Sequence, residues 1–261
     1  MGKLILFNFI LIAMSVVALW LVKKYVRKES AKKSILIFAS LLTIVFHYSS
    51  AGLRLFVGEN WMAYISDNPN LLLPIYPCNV VMWSALVFAL LKNKTSRIGT
   101  FLADYLFWFG IVSTLVGMFA NVDFIRNPTL ADYENVKSIG AHATLLFNVL
   151  LLPLFGYVKI DVKRNITNIV ISVFEMAAIG GYCNLVFGAL ASPETAYDVN
   201  AMFLIHSPFE GIDFLVYPVI ALIAVPIYFL TFVLCDLFAH KKESFFMKKI
   251  KKRAGMNSKT V

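Results

Sequence analysis

Cys78 stands at the head of an apolar run, between two prolines, Pro74 and Pro77, and the carboxamide of Asn79. Elsewhere in similarly apolar stretches lie two histidines, His47 and His142, the guanidinium of Arg54 and the carboxamide of Asn184. Polar and ionisable residues inside membrane-length apolar runs are the default functional candidates, and Cys78 among them could serve as a nucleophile. In lipid every unpaired backbone polar group costs several kcal/mol, so helix breakers survive only where protein or water repairs the damage. Two prolines beside a thiol therefore predict a shaped cavity, not a plain lipid-facing span. Each group also has a structural reading. A cysteine in a membrane helix can be a small packing hydrophobe, Arg54 can snorkel to headgroups, and His142 can hydrogen-bond within a bundle.

The elements that must position these groups are membrane helices. The 261-residue chain is 59% hydrophobic and 15% charged, against roughly one-quarter charged for a soluble domain. Its apolar residues fall into blocks near 4–22, 34–57, 71–91, 98–120, 138–158, 166–190 and 213–238, each of about the 20 residues a bilayer needs. The expectation is an all-α polytopic protein, a seven-transmembrane-helix bundle over residues 1–240, with a basic cytoplasmic tail at 241–261.

Lys and Arg gather at 23–33, 92–97, 159–164 and 241–253, and are sparse in the alternate connections. This is the positive-inside pattern, and it predicts the N-terminus outside and the C-terminus inside. Helix two then carries His47 and Arg54 seven residues apart on one face, with Arg54 toward the outer end. Helix three places Cys78 roughly 10 Å in from the outer boundary, and His142 lies about one turn into helix five. Asp123 follows helix four, and Asn184 closes helix six. Polar residues from several helices thus reach the outer third, which predicts a cavity open to the outer leaflet. Deeper lie Asp104 and Glu175, the latter read as a structural partner for His47 or Arg54. Gly99, Gly110, Gly117, Gly180, Gly181 and Gly188 read as close helix packing.

The net charge of +9 is concentrated at one membrane face and in the tail, which suits anionic lipid headgroups and excludes a nucleic-acid role. Cys78, Cys183 and Cys235 sit within spans, so no disulfide framework is expected. Neither a cofactor nor a metal site is expected.

The order of these residues resembles the YwaF-like integral membrane family, whose animal relative is an acyltransferase of ether-phospholipid metabolism. Leu73-Pro74-Ile75-Tyr76-Pro77-Cys78 is similar to that family's Leu-Pro-Leu-His-Leu-Cys segment. Phe107-Trp108-Phe109-Gly110 is similar to its Phe-Trp-Gly, His142-Ala143 to its His-Gly, and Asn184-Leu185 to its Asn-Tyr. Tyr76 stands where the family has histidine, and Ala143 where it has glycine. The resemblance covers residues 40–235 and implies Cys78 as nucleophile and His142 as its partner. It implies a cysteine-dependent acyltransferase or lipase acting on outer-leaflet glycerophospholipid, in a bacterial plasma membrane. His47, Arg54, Asn79, Asn184 and Asp123 would then hold the substrate. The alternative is a non-enzymatic binding or transport protein that uses the same polar cavity.

Overall fold

The computed structural model describes residues 2–58, 60, 64, 68–119, 127–190, 200–207, 211–240 and 244–247. Among them the chain is all-helical: α1 (Gly2–Tyr25), α2 (Glu29–Phe56), α3 (Pro77–Leu90), α4 (Arg97–Phe119), α5 (Tyr133–Leu154), α6 (Val162–Leu190) and α7 (Tyr217–His240). Short 3-10 turns at Pro69–Leu71 and Ala201–Phe203 precede α3 and α7. Six of the helices are long and apolar enough to cross a membrane, which makes this a membrane protein. Most of the basic tail expected at 241–261 lies outside the described residues.

The exception is α3, whose 14 residues span only about 21 Å at 1.5 Å per residue, short of the roughly 30 Å hydrocarbon core. The sequence predicts a span over 71–91, but helix begins only at Pro77. The prolines explain the difference. Pro77 occupies the first helical position, where its missing N–H loses nothing, and it holds Tyr76 extended, with φ −118° and ψ 152°. Residues 72–76 are therefore an irregular lead-in, and Cys78 falls at the second residue of a helix.

Four helices, α2 to α5, build the centre, while α1 and α7 leave most of their apolar side chains facing outward. Helices in lipid gain little from apolar burial against one another, so close approach and hydrogen bonds hold them together. Between α2 and α5 the Thr43 hydroxyl donates to Thr144 Oγ1 at 3.1 Å, Asn148 Nδ2 donates to Ser40 Oγ at 2.8 Å, and the Phe46 ring lies over Gly140. Gly110 of α4 takes Val149 of α5 directly against its Cα. On α4 the fully buried Asp104 receives Arg164 of α6 in a fork, Nε to Oδ2 at 2.9 Å and Nη2 to Oδ1 at 3.3 Å, and Asn168 Nδ2 at 2.8 Å.

The basic connections converge at one end of the bundle. There the Tyr157 hydroxyl donates to Glu29 Oε2 at 3.1 Å, and the Lys32 ammonium lies 5.7 Å over the Phe155 ring. Lys94 caps the end of α3 through Ala89 O and Leu91 O. Burial, with the Glu29 carboxylate beside it, pushes the Tyr157 phenol up to about 12, and burial lowers the Lys94 ammonium from its ordinary value. At the opposite end Asn8 of α1 donates to Met118 O of α4, and Leu4 meets Ile139 of α5.

Candidate functional site

Cys78, Asn79, His47 and His142 line one cavity of about 30 Å³, together with Thr43, Met82, Ala141 and Leu145. Three helices thus deliver the sequence-predicted thiol, carboxamide and both imidazoles to one place: α2, α3 and α5. The volume leaves room for about two water molecules.

The start of α3 shapes the thiol's surroundings. The first turn of a helix leaves backbone N–H groups without intrahelical partners; Cys78 stands in that turn of α3, and the Asn79 N–H beside it bonds the Tyr76 carbonyl at 3.0 Å. Asn79 is buried, and its Oδ1 accepts the Tyr76 N–H at 3.2 Å, which closes the cap of α3. That bond fixes the amide's orientation and turns Nδ2 toward His47 Nε2, 3.3 Å away.

His47 Nε2 also lies 3.2 Å from the Asn70 carbonyl. One ring nitrogen cannot serve a donor and an acceptor at once. With Nε2 protonated, His47 bonds Asn70 and leaves the Asn79 amide hydrogens for another acceptor. With Nε2 bare, it takes a hydrogen from Asn79. The neighbouring Tyr48 hydroxyl donates to Leu71 O at 2.9 Å, so α2 pins the 3-10 turn before α3 at two consecutive carbonyls.

The shorter of two contacts at Nδ1 assigns the tautomer of His142. Its Nδ1 lies 2.7 Å from the carbonyl of Ser138, one turn earlier on α5, and must carry the proton. Nε2 therefore holds the lone pair, as a base requires. That edge of the ring rests on Gly117 of α4, where a Cβ would overlap Nε2, Cδ2 and Cε1. Gly117 thus seats the imidazole, a specific role that the sequence reading submerged in generic glycine packing.

The other expected residues lie elsewhere. Arg54 is outside the cavity lining, with its guanidinium 4.4 Å over the Tyr64 ring. The Tyr64 hydroxyl in turn donates to Glu134 Oε1, and Glu134 pairs with Lys137. Asn184 is also outside the lining. Its Oδ1 accepts the Ala201 N–H at 2.8 Å and its Nδ2 donates to Ala201 O at 3.4 Å, so its carboxamide holds the turn before α7. Asp123 lies outside the described residues. Glu175 is paired with neither His47 nor Arg54: it sits exposed on α6, within electrostatic range of the buried Tyr105 hydroxyl. Tyr76, at the position of the family's histidine, is exposed and turned to the Phe203 ring 5.6 Å away, so the cavity's second imidazole comes from α2 instead.

Among the described residues no group of three or more His, Cys, Asp or Glu side chains could hold a metal ion. All three cysteines are free thiols.

No curated protein and no solved structure matches the chain. The sequence model of the TMEM164 family matches residues 3–238, from the first turn of α1 into the last turn of α7. With that match over all seven helices, the chain belongs to the TMEM164 family.

Proposed function

We propose that the protein is a cysteine-dependent lipid acyltransferase that moves an acyl chain from a glycerophospholipid to a lysolipid, with water as a lesser acceptor. The observation that carries this reading is the meeting of Cys78, Asn79 and His142 at one cavity on the N-terminus of α3. The resemblance to YwaF-like proteins and to the acyltransferase of ether-phospholipid metabolism supports the same residues.

In the first half-reaction His142 Nε2 takes the thiol proton, and the Cys78 sulfur attacks the ester carbonyl carbon. Asn79 Nδ2, released when His47 bonds Asn70, donates to the developing oxyanion. The carbon–oxygen bond breaks, and the His142 proton passes to the leaving oxygen, which gives a lysolipid and a thioester on Cys78. In the second half-reaction the acceptor hydroxyl gives its proton to Nε2 and attacks the thioester. The sulfur leaves as thiolate and regains the proton from His142. Arg54, toward the end of α2, holds the phosphate, for which guanidinium is the best-suited side chain.

The test is capture of the acyl-enzyme. Purified protein is incubated with phosphatidylcholine bearing a labelled acyl chain, and the adduct is released with neutral hydroxylamine. Label on Cys78 in the wild type, none in Cys78→Ala, and formation slowed about 10²–10⁴-fold in His142→Ala is the expected pattern. A wild type that never acquires label, or equal labelling of Cys78→Ala, removes the acyl-cysteine step. The transport alternative would then be read from solute flux in proteoliposomes.

A further inference from the structure

The cavity at Cys78 has space for water but not for a lipid, since ligand sites of drug size occupy about 300–1,000 Å³. A chain attached to the reacting carbonyl needs an apolar channel that begins beside Cys78. Beside the segment that leads into Cys78 lies a packed apolar cluster, next to which a residue of the protein itself occupies the space. Between the α3 lead-in and α6, buried Ile75 and Cys183 meet Ala201, flanked by Leu73, Ile179 and Phe187. Met202, in the turn before α7, is fully buried in the adjoining main core, and its side chain presses on the bare Cα of Gly180. A Cβ there would lie 2.7 Å from Met202 Cγ and 2.8 Å from Leu204 Cδ1.

Three observations show how Met202 is held. Met202 N donates to Ile75 O at 2.7 Å, three residues before the nucleophile. Asn184 takes both backbone groups of Ala201. Met202 and Phe203 both sit at φ 55°, a left-handed conformation that is unusual for one non-glycine residue and more so for two in succession. Strained backbone of this kind persists only where its surroundings over-determine it, and it collects at clamps and switches.

We propose that the Met202 slot is the subsite for a lipid acyl chain and that the Asn200–Ser207 strap is its removable plug. An unbranched, flexible thioether side chain is the closest protein mimic of an alkyl segment. It fills a groove floored by a glycine and walled by aliphatic groups, one end of which is the chain segment leading into Cys78. Withdrawal of Met202 releases the strain at residues 202 and 203, frees Ile75 O and exchanges one apolar occupant for another. The acyl chain as occupant rests on the acyl-transfer reading of Cys78.

The experiment is photocrosslinking of full-length protein in nanodiscs of phosphatidylcholine doped with a phosphatidylcholine that carries a diazirine on its acyl chain. Adducts are mapped by peptide mass spectrometry. Wild type should crosslink within Leu73–Tyr76 and Ile179–Cys183. The yield there should rise several-fold in Met202→Gly, which removes the plug and suits the positive φ. It should rise also in Asn184→Ala, which loosens the strap and leaves the slot walls intact. Adducts confined to the outward faces of α1 and α7 in all three proteins would overturn the proposal, as would slot yields unchanged by both substitutions. Cys78→Ala separates the two ideas. Slot adducts in Cys78→Ala, with no acyl adduct on the wild type, would overturn acyl transfer and keep the slot. An acyl adduct on wild-type Cys78 without slot adducts would overturn the slot alone.

Discussion

The imidazole of His142 on α5 lies directly on Gly117 of α4, in space that any side chain at 117 would occupy. The backbone of one helix thus sets the position of the imidazole carried by another, the base of the proposed reaction. Gly117→Ala should displace the ring from the cavity while leaving both helices intact. A shift of about 1 Å in a catalytic group can cost about 10²-fold in rate, so acyl transfer should fall by at least that factor. Gly181→Ala is the control, because nothing lies within 4 Å of a Cβ built there. Rates of Cys78 acylation and thermal melts of the two variants check the prediction: a loss of rate in both, or in neither, would refute it.

Asn79 has two jobs that substitution can separate. Its Oδ1 caps α3 through the Tyr76 N–H, and its Nδ2 is the oxyanion donor of the proposed reaction. Asn79→Ala should lose both, at about 1 kcal/mol of stability for the cap and about 10²–10³-fold in rate for the donor. Asn79→Asp keeps an oxygen for Tyr76 at a helix N-terminus, where negative charge is favoured, but has no amide hydrogen. Stability near wild type with the full loss of rate is expected for Asn79→Asp, measured by melting temperature and single-turnover acylation.

The helices and the four cavity residues were legible in the sequence because membrane-length apolar runs make every interior polar group conspicuous. Cys78, His142, His47 and Asn79 announce themselves by type and depth. The rest depends on tertiary facts that no single residue carries. Gly117 differs from Gly181 only in what the facing helix places over it. Asn184 lies at the expected end of α6, yet its amide is spent on Ala201, because a turn 17 residues later folds back onto it. The expected span over 71–91 missed the late start of α3, although Pro77 marks it, and nothing in the sequence announced the contact of Met202 with Ile75. That contact joins segments more than a hundred residues apart.

The Asp104–Arg164 pair should hold α4 to α6 with a marked asymmetry between its partners. Asp104 is fully buried, while a third of the Arg164 side chain is exposed. Arg164→Ala strands a carboxylate with Asn168 as its remaining side-chain partner, and removal of one member of a buried pair costs about 3–5 kcal/mol. Asp104→Asn leaves a cation that can reach solvent and still bond the Lys159 carbonyl, so its cost should be smaller. The double variant Asp104→Leu/Arg164→Met should recover part of the loss. Thermal unfolding of the four proteins in one detergent forms the cycle, and equal losses in the two single variants would contradict the burial argument.

The convergence of the basic connections at one end of the bundle supports a topology with that end inside the cell. The short α3 makes the segment between α2 and α3 the decisive one, since its 14 helical residues cross only with the help of the irregular lead-in. Single cysteines at Val57, just past α2, and Asn93, just past α3, bracket that crossing in a background lacking Cys78, Cys183 and Cys235. An impermeant maleimide added to intact cells should label Val57→Cys at once and Asn93→Cys only after permeabilisation. Arg27→Cys, at the basic end between α1 and α2, should behave like Asn93→Cys. Labelling of Val57→Cys and Asn93→Cys from the same side would mean that α3 enters and leaves by one face. Cys78 would then open to a leaflet other than the one that the charges predict.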